Sequence, residues 1–239
     1  MRILITRPQE DAERVAERLR ERGHEVLYAG LLSVRHFDGP ELTFEGVSAV
    51  VATSANGVRA LARRTPRRDL PLFAVGPQTA DAARRAGFDR IECADGDAAT
   101  LAVAMPSWVK PEDGVLLHAA SADNEGRLKE LLAEEGYTVD VQVLYEVIAE
   151  ATLPEQARLA LSGDMVDAVI VFSPRSAQAL RDSIVRAGLA AACARLAAVC
   201  ISRATSEGLL PLAFRQVFVA ERPNQDALLH ALDIVGVSQ

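Results

Sequence analysis

Two stretches of this chain read almost alike. Residues 49–61 are AVVATSANGVRAL and residues 168–180 are AVIVFSPRSAQAL, and an alanine, a valine, a serine, a second alanine and a leucine recur in place. Each copy runs from an apolar, β-branched segment through a serine into a stretch of helical character. The second copy begins about half a chain after the first. A strand–serine–helix unit repeated at that distance points to two related α/β domains, because one small sheet has no room for all the strands the chain offers.

Those strands follow from hydrophobic patterning. Arg2–Thr6 reads as a buried strand, after which Ala12, Val15, Ala16 and Leu19 recur at helical spacing until Gly23. Glu25–Ala29, Ala49–Thr53, Leu72–Val75, Val115–His118, Ala168–Phe172, Leu196–Ile201 and Val217–Ala220 read as further strands. Helices are expected from Ala55, from Pro77 to Gly87, from Asn124 to Gly136 and from Gln225 to Ile234. Strand–helix alternation of this kind implies parallel sheets with helices on both faces. Leu31–Phe37 and Val143–Ala151 look extended and semi-polar. Pairing them as two linking strands would join the N-terminal βαβ to the C-terminal third and leave the middle as an inserted domain.

Several function classes are disfavoured. A formal charge of −7 argues against a sequence-independent grip on nucleic acid, which needs a basic surface. Cys93, Cys193 and Cys200 form no CxxC and have no histidine cluster beside them, so neither a disulfide framework nor a zinc site is indicated. MRILITRP enters an apolar strand at once, without a signal-peptide core, and runs such as Ala168–Phe172 are far short of a membrane span. The expectation is a cytoplasmic protein. There is no GxGxxG opening a helix, no GxxxxGK[ST], no HExxH and no GxSxG.

The chemistry must therefore lie in the strand-to-helix turns, where ligands of open α/β sheets bind. They read Thr6-Arg7-Pro8, Thr53-Ser54-Ala55-Asn56-Gly57, Gly76-Pro77-Gln78-Thr79, Ser173-Pro174-Arg175-Ser176 and Ser202-Arg203-Ala204-Thr205. Small hydroxyl residues there cap the helix, and the remaining first-turn amides and the helix dipole favour carboxylate or phosphate. Any one turn is adequately explained as a cap; five of them, divided between two repeats, suggest a shared anion-binding cleft. Arg7, Asn56, Arg175 and Arg203 stand at the same strand ends, where a guanidinium fork suits a carboxylate. Arg59 and Arg222 are weaker candidates. Tyr145, in VLYEV, is a candidate catalytic hydroxyl, against the plainer reading of a core or edge aromatic. His118 is expected to end its strand, while His24, His36 and His230 read as surface residues. Arg63 to Arg68 reads as a solvated loop.

Together, ILITRP, ATSANGVRAL, FAVGPQTADAARRAGF, VQVLYEV, VIVFSPRSAQAL and the Ala204-Thr205 helix start resemble the uroporphyrinogen-III synthase family, in order and over essentially the whole chain. The resemblance implies an α/β fold of two flavodoxin-like domains, each a parallel sheet with helices on both faces, joined by a two-stranded linker. One domain would be discontinuous, residues 1–33 with 153–239, and the other inserted, residues 38–146. It implies a cofactor-free, metal-free enzyme of heme and porphyrin synthesis that cyclises hydroxymethylbilane, a linear tetrapyrrole with eight carboxylates, while inverting ring D and losing water. Tyr145 matches the tyrosine proposed to assist departure of the bilane hydroxyl. Ser54, Thr79, Ser173 and Thr205 match the binding turns, with backbone approach at Gly76 and Ser176; Thr6, Arg7, Asn56, Arg175, Ser202 and Arg203 complete the expected substrate contacts. A monomer is implied, with transient contact to the upstream hydroxymethylbilane synthase and no nucleic-acid or membrane partner. Three departures stand out: His118-Ala119-Ala120-Ser121 replaces an Arg-Gly strand end, Ser202 stands where relatives often carry glycine, and Asn56 differs from its counterpart Arg175. A non-catalytic module that senses a small anion is the alternative reading.

Overall fold

A computed structural model describes residues 1–7, 9–123 and 127–237. The first half of the chain forms β1 (Arg2–Ile5), α1 (Gln9–Glu21), β2 (Glu25–Tyr28), β3 (Leu32–His36), β4 (Val47–Ala52), α2 (Ala55–Arg64), β5 (Leu72–Ala74), α3 (Pro77–Arg85), β6 (Ile91–Cys93) and α4 (Ala98–Ala104). The second forms β7 (Val115–Ser121), α5 (Arg127–Glu134), β8 (Val139–Ala149), α6 (Glu155–Ser162), β9 (Ala168–Val171), α7 (Pro174–Arg186), β10 (Ala197–Cys200), α8 (Arg203–Glu207), β11 (Gln216–Val219) and α9 (Gln225–Val237). The expected helix start at Asn124 lies outside the described residues, as does Pro8.

The chain divides into two compact units, Met1–Ser33 with Ile148–Gln239, and Val34–Val147. The first unit holds a sheet ordered β11-β10-β9-β1-β2 with every neighbouring pair parallel. Alternation along β1 sends Ile3 and Ile5 to one face, against Val15 and Leu19 of α1 and Leu228 of α9. It sends Leu4 to the other face, which Leu161 of α6 and Leu180 of α7 cover. Period-two side chains on the strands thus meet period-3.6 stripes on helices of both faces. Truncating a residue such as Leu180, fully buried, to alanine costs roughly 2–5 kcal/mol in sites of this kind.

The second unit is built alike. Its strands run β6-β5-β4-β7-β8, all parallel, with β3 beyond β8. Val50, Ala52, Leu117 and Ala119 pack under Val58 and Leu61 of α2. Ala49, Val51 and Leu116 pack on the other face under Leu101 of α4 and Leu128 of α5.

Laid over one another, the two sheet orders match β4 with β9, β5 with β10, β6 with β11, β7 with β1 and β8 with β2. The N-terminal β1–α1–β2 piece therefore has its counterpart in β7–α5–β8. Each half of the chain carries one such piece followed by three βα steps, and each unit takes its βαβ piece from one half and its three βα steps from the other. RILI and VLLH share one leucine, Leu4 and Leu117, so this part of the duplication is written more in topology than in identities.

Candidate active site

The turns that follow β4 and β5 lie side by side, because the Val75 amide donates to the Ala52 carbonyl at 3.1 Å. Ser54 caps α2 and its Oγ accepts from the Gly57 amide at 3.0 Å. Gly76 opens α3 without a side-chain cap and with Pro77 next to it, so backbone, not a hydroxyl, faces outward there. Thr79 sits one step inside and is buried. Its amide bonds the Gly76 carbonyl at 3.0 Å. Asn56 accepts from Arg59 at 2.6 Å, which ties both side chains to the first turn of α2.

Tyr145 completes this group. Its phenol oxygen lies 2.7 Å from Ser54 Oγ, and the residue is 4% exposed. A bulge in β8 aims it. Ala120 of β7 faces Val143 but Ser121 faces Tyr145, so β8 carries one extra residue, Leu144, at this point. Simple alternation would put Tyr145 on the face of Val139 and Val141, under α4 and α5. The bulge turns it onto the α2 face, where it packs with Leu144 and Val58 and reaches Ser54.

In the other unit the turns after β1, β9 and β10 are adjacent, since the Thr6 amide donates to Ile170 and the Ile201 amide to Val171. Ser173 and Ser176 form a reciprocal cap at the start of α7. Their hydroxyls lie 2.9 Å apart. Ser202 caps α8 and meets Thr205 Oγ1 at 2.9 Å. Arg175 stands in the first turn of α7, half-buried. Arg203 is exposed and pairs with Glu207 at 3.3 Å. Arg7 lies over the Phe172 ring, its guanidinium carbon 4.2 Å from the ring centre. Burial pulls its pKa below the usual arginine value, opposed by the Asp11 carboxylate.

Thr6 is buried, as Thr79 and Thr205 are, and its hydroxyl donates to the Ile170 carbonyl at 3.1 Å. Other expectations require correction. His118 does not end its strand: β7 continues to Ser121, and the imidazole is fully buried with neither nitrogen hydrogen-bonded. Burial alone drives its pKa down to about 4 and keeps it neutral. The run from Arg63 to Arg68 is a solvated loop only in part, with Arg63, Pro66 and Arg67 exposed and Arg64 and Arg68 half-buried. Arg64 ends α2 and donates to the Phe37 and Pro40 carbonyls, while Arg68 donates to four carbonyls, those of Ala62, Thr65, Arg67 and Ala86. His36 is half-buried, not a plain surface residue. Sequence reasoning also passed over Gly57, whose lack of a side chain lets α2 approach β7.

Burial raises the Cys193 and Cys200 thiols to about 11 and about 12, too high for thiolate at neutral pH. Among the described residues no three His, Cys, Asp or Glu side chains gather as a metal site, and no helix is long and apolar enough to cross a membrane.

The family model for uroporphyrinogen-III synthase HemD matches residues 13–230. The chain belongs to the uroporphyrinogen-III synthase family. It is thus placed among the cyclising enzymes of tetrapyrrole synthesis. The synthase fold is also found in solved structures. One is uroporphyrinogen-III synthetase from Helicobacter pylori, with a TM-score of 0.63 at 18% identity over 98% of this chain and 100% of that one. Another is a mutant uroporphyrinogen III synthase from the extremely thermophilic bacterium Thermus thermophilus, with a TM-score of 0.54 at 18% identity over the whole of both chains. At that identity the likeness speaks to fold alone. No curated protein sequence matches the chain.

Proposed function

We propose that this synthase-family chain closes hydroxymethylbilane to uroporphyrinogen III, with Tyr145 as the proton donor. The observation that carries the reading is the Tyr145 phenol held 2.7 Å from Ser54 Oγ at the start of α2. The Ser54 oxygen already accepts from the Gly57 amide. It therefore keeps a hydrogen for the phenol oxygen and an acceptor site for the phenol hydrogen. A phenol fixed in this way can pass its proton to the bilane hydroxyl as the C–O bond breaks and water leaves. The ring-D α-carbon that already carries the methylene bridge then attacks the resulting azafulvenium carbon. The spiro intermediate opens and recloses with ring D reversed, and the phenol recovers its proton from the ring carbon that rearomatises. Bringing the two ends of a flexible tetrapyrrole together supplies much of the rate.

The carboxylates of the substrate are assigned to the turns of both units: Ser54, Asn56, Gly76 and Thr79 in one, and Thr6, Arg7, Ser173, Arg175, Ser176, Ser202, Arg203 and Thr205 in the other. First-turn amides at helix starts recognise carboxylates without requiring a basic surface, which agrees with the net charge of −7. In this reading the units are two flavodoxin-like domains, residues 1–33 with 153–239 and residues 38–146, joined by the strands around residues 31–37 and 143–151. The order β2-β1-β9-β10-β11 supports it. The enzyme acts as a cytoplasmic monomer that meets hydroxymethylbilane synthase transiently.

The test is isomer analysis. Porphobilinogen and a hydroxymethylbilane synthase are incubated with this protein, the products are oxidised and the porphyrin isomers resolved. Mostly type III isomer is expected; the spontaneous type I isomer alone would overturn the assignment.

A further inference from the structure

β3 runs along the free side of β8. The Phe37 amide donates to the Leu144 carbonyl at 2.8 Å, and Arg35 pairs with Glu146. Both contacts fix one register, which sets His36 directly opposite Tyr145 and on the same face, the one α2 covers. Between this strand end and the last turns of α2 is a cavity of about 250 Å³, lined by His36, Phe37, Asp38, Ala60, Arg63 and Arg64. That is several times the roughly 30 Å³ that a water molecule takes in the liquid.

The donors around it are arranged for an acceptor. Arg64 spends its two terminal nitrogens on the Phe37 and Pro40 carbonyls, which locks the guanidinium plane, while its Nε is buried and has no partner. His36 Nδ1 is likewise buried and unpartnered. Arg64 Nε–H is a buried donor with no protein acceptor, and His36 Nδ1 is a second one in its Nδ1–H tautomer; together they call for an acceptor from outside, since a buried N–H left unpaired forfeits its hydration. Arg63 is exposed and forms no ion pair among the described residues. Asp38, also exposed, is the carboxylate at the rim. Two guanidinium groups against one carboxylate leave the cavity positive. Burial, then the Arg63 and Arg59 charges, hold the His36 pKa below its ordinary value.

We propose that this cavity is a carboxylate subsite in which Arg63, Arg64 Nε–H and His36 Nδ1–H hold one acidic arm of the bilane, at the end of α2 away from Ser54. It rests on the synthase reading and extends it, since none of these three residues belongs to the strand-end turns. One carboxylate oxygen accepts from Arg64 and His36, and the other faces Arg63. A cluster on the flank of α2 would orient the substrate relative to the phenol without taking part in proton transfer.

Kinetics of the full chain test this. Arg63→Gln is expected to raise KM about tenfold, the scale of one charge-assisted hydrogen bond, with kcat held within about twofold. His36→Gln should raise it by a smaller factor, and Arg63→Lys should recover part of the loss. Unchanged KM in Arg63→Gln, with wild-type protein still forming type III isomer, would overturn the subsite and leave the synthase reading intact. Wild-type protein that forms no type III isomer would overturn both the synthase reading and the bilane arm. A titration with propionate, read from the His36 imidazole resonances by NMR, then decides whether the cavity binds carboxylates at all. The shift is expected in wild type and absent in Arg63→Gln, and no shift in either overturns the subsite. An equal response to inorganic phosphate would overturn the carboxylate assignment in favour of a general anion site.

Discussion

Gly57 and Ala119 stand closer than two side-chain-bearing residues can. A Cβ on Gly57 would lie 2.6 Å from the Ala119 carbonyl oxygen, which belongs to the β7 backbone and has little freedom to retreat. This contact lets the first turn of α2 settle against the sheet, and that turn carries Ser54. Gly57→Ala should therefore act twice. Overpacking costs about 1–3 kcal/mol, read as a lower midpoint of chemical denaturation. The displaced helix start should also lengthen the Ser54–Tyr145 contact and slow type III formation more than the loss of stability alone would.

Ser54 and Tyr145 should behave as a coupled pair. Tyr145→Phe keeps the ring in its packing site and removes the proton, so kcat should fall by roughly 10²-fold with KM little changed. Ser54→Ala should lower kcat less and should also cost about 1 kcal/mol of stability through the lost cap. Because the two hydroxyls bond each other, the double variant should be no slower than Tyr145→Phe. Steady-state rates for the three proteins decide it; multiplicative losses would show that the two side chains act separately.

His118 sets a pH limit on the fold. Its imidazole is fully buried and its folded pKa is about 4, against an ordinary value of 6.5. The unfolded chain binds this proton more readily than the folded one, so the contribution is complete above pH 6.5 and is lost as pH falls toward 4. The depression corresponds to about 3 kcal/mol at the acid end. His118→Leu, similar in size and without polar atoms, should flatten the decline in denaturation midpoint between pH 6.5 and 4. At pH 7.5 it should leave stability equal or improved, because neither ring nitrogen has a partner to lose.

The fold was legible where apolar runs and caps coincide. Ala168–Val171 and Ser173 announced β9 and the start of α7, and the Ala49–Leu61 echo announced their counterparts. Ser54, Gly76, Ser173 and Ser202 were legible as helix starts for the same reason, since each stands between a hydrophobic run and a helical stripe. The strand end at His118 was misread because Ala119 and Ala120 look like a weak terminus; small residues suit a place where α2 presses on the sheet. The aim of Tyr145 was not legible at all. It depends on one extra residue in β8, and a bulge has no signature in VQVLYEV. The cavity at His36 escaped for a related reason. The pairing of residues 31–37 with 143–151 was legible, but not the register that turns His36 toward Arg63 and Arg64 of α2. The Arg63–Arg68 run looked like solvated charge because its carbonyl partners are set by the tertiary fold.

Arg7 offers a test of the other unit. Its guanidinium is stacked 4.2 Å from the Phe172 ring centre, and burial holds its pKa down, so the charge is poorly hydrated. A desolvated guanidinium over an aromatic face gains about 2 kcal/mol and is held in a fixed orientation. If Arg7 receives a substrate carboxylate, Arg7→Lys should raise KM several-fold despite the retained charge, because an ammonium cannot offer the fork. Phe172→Leu should keep the charge and remove the stacking surface, giving a smaller rise in KM and about 1–2 kcal/mol of lost stability. The order Arg7→Lys above Phe172→Leu above wild type in KM, with kcat nearly constant, is the expected result. A fall in stability in both variants with KM unchanged would instead make Arg7 a packing residue that caps the end of β1.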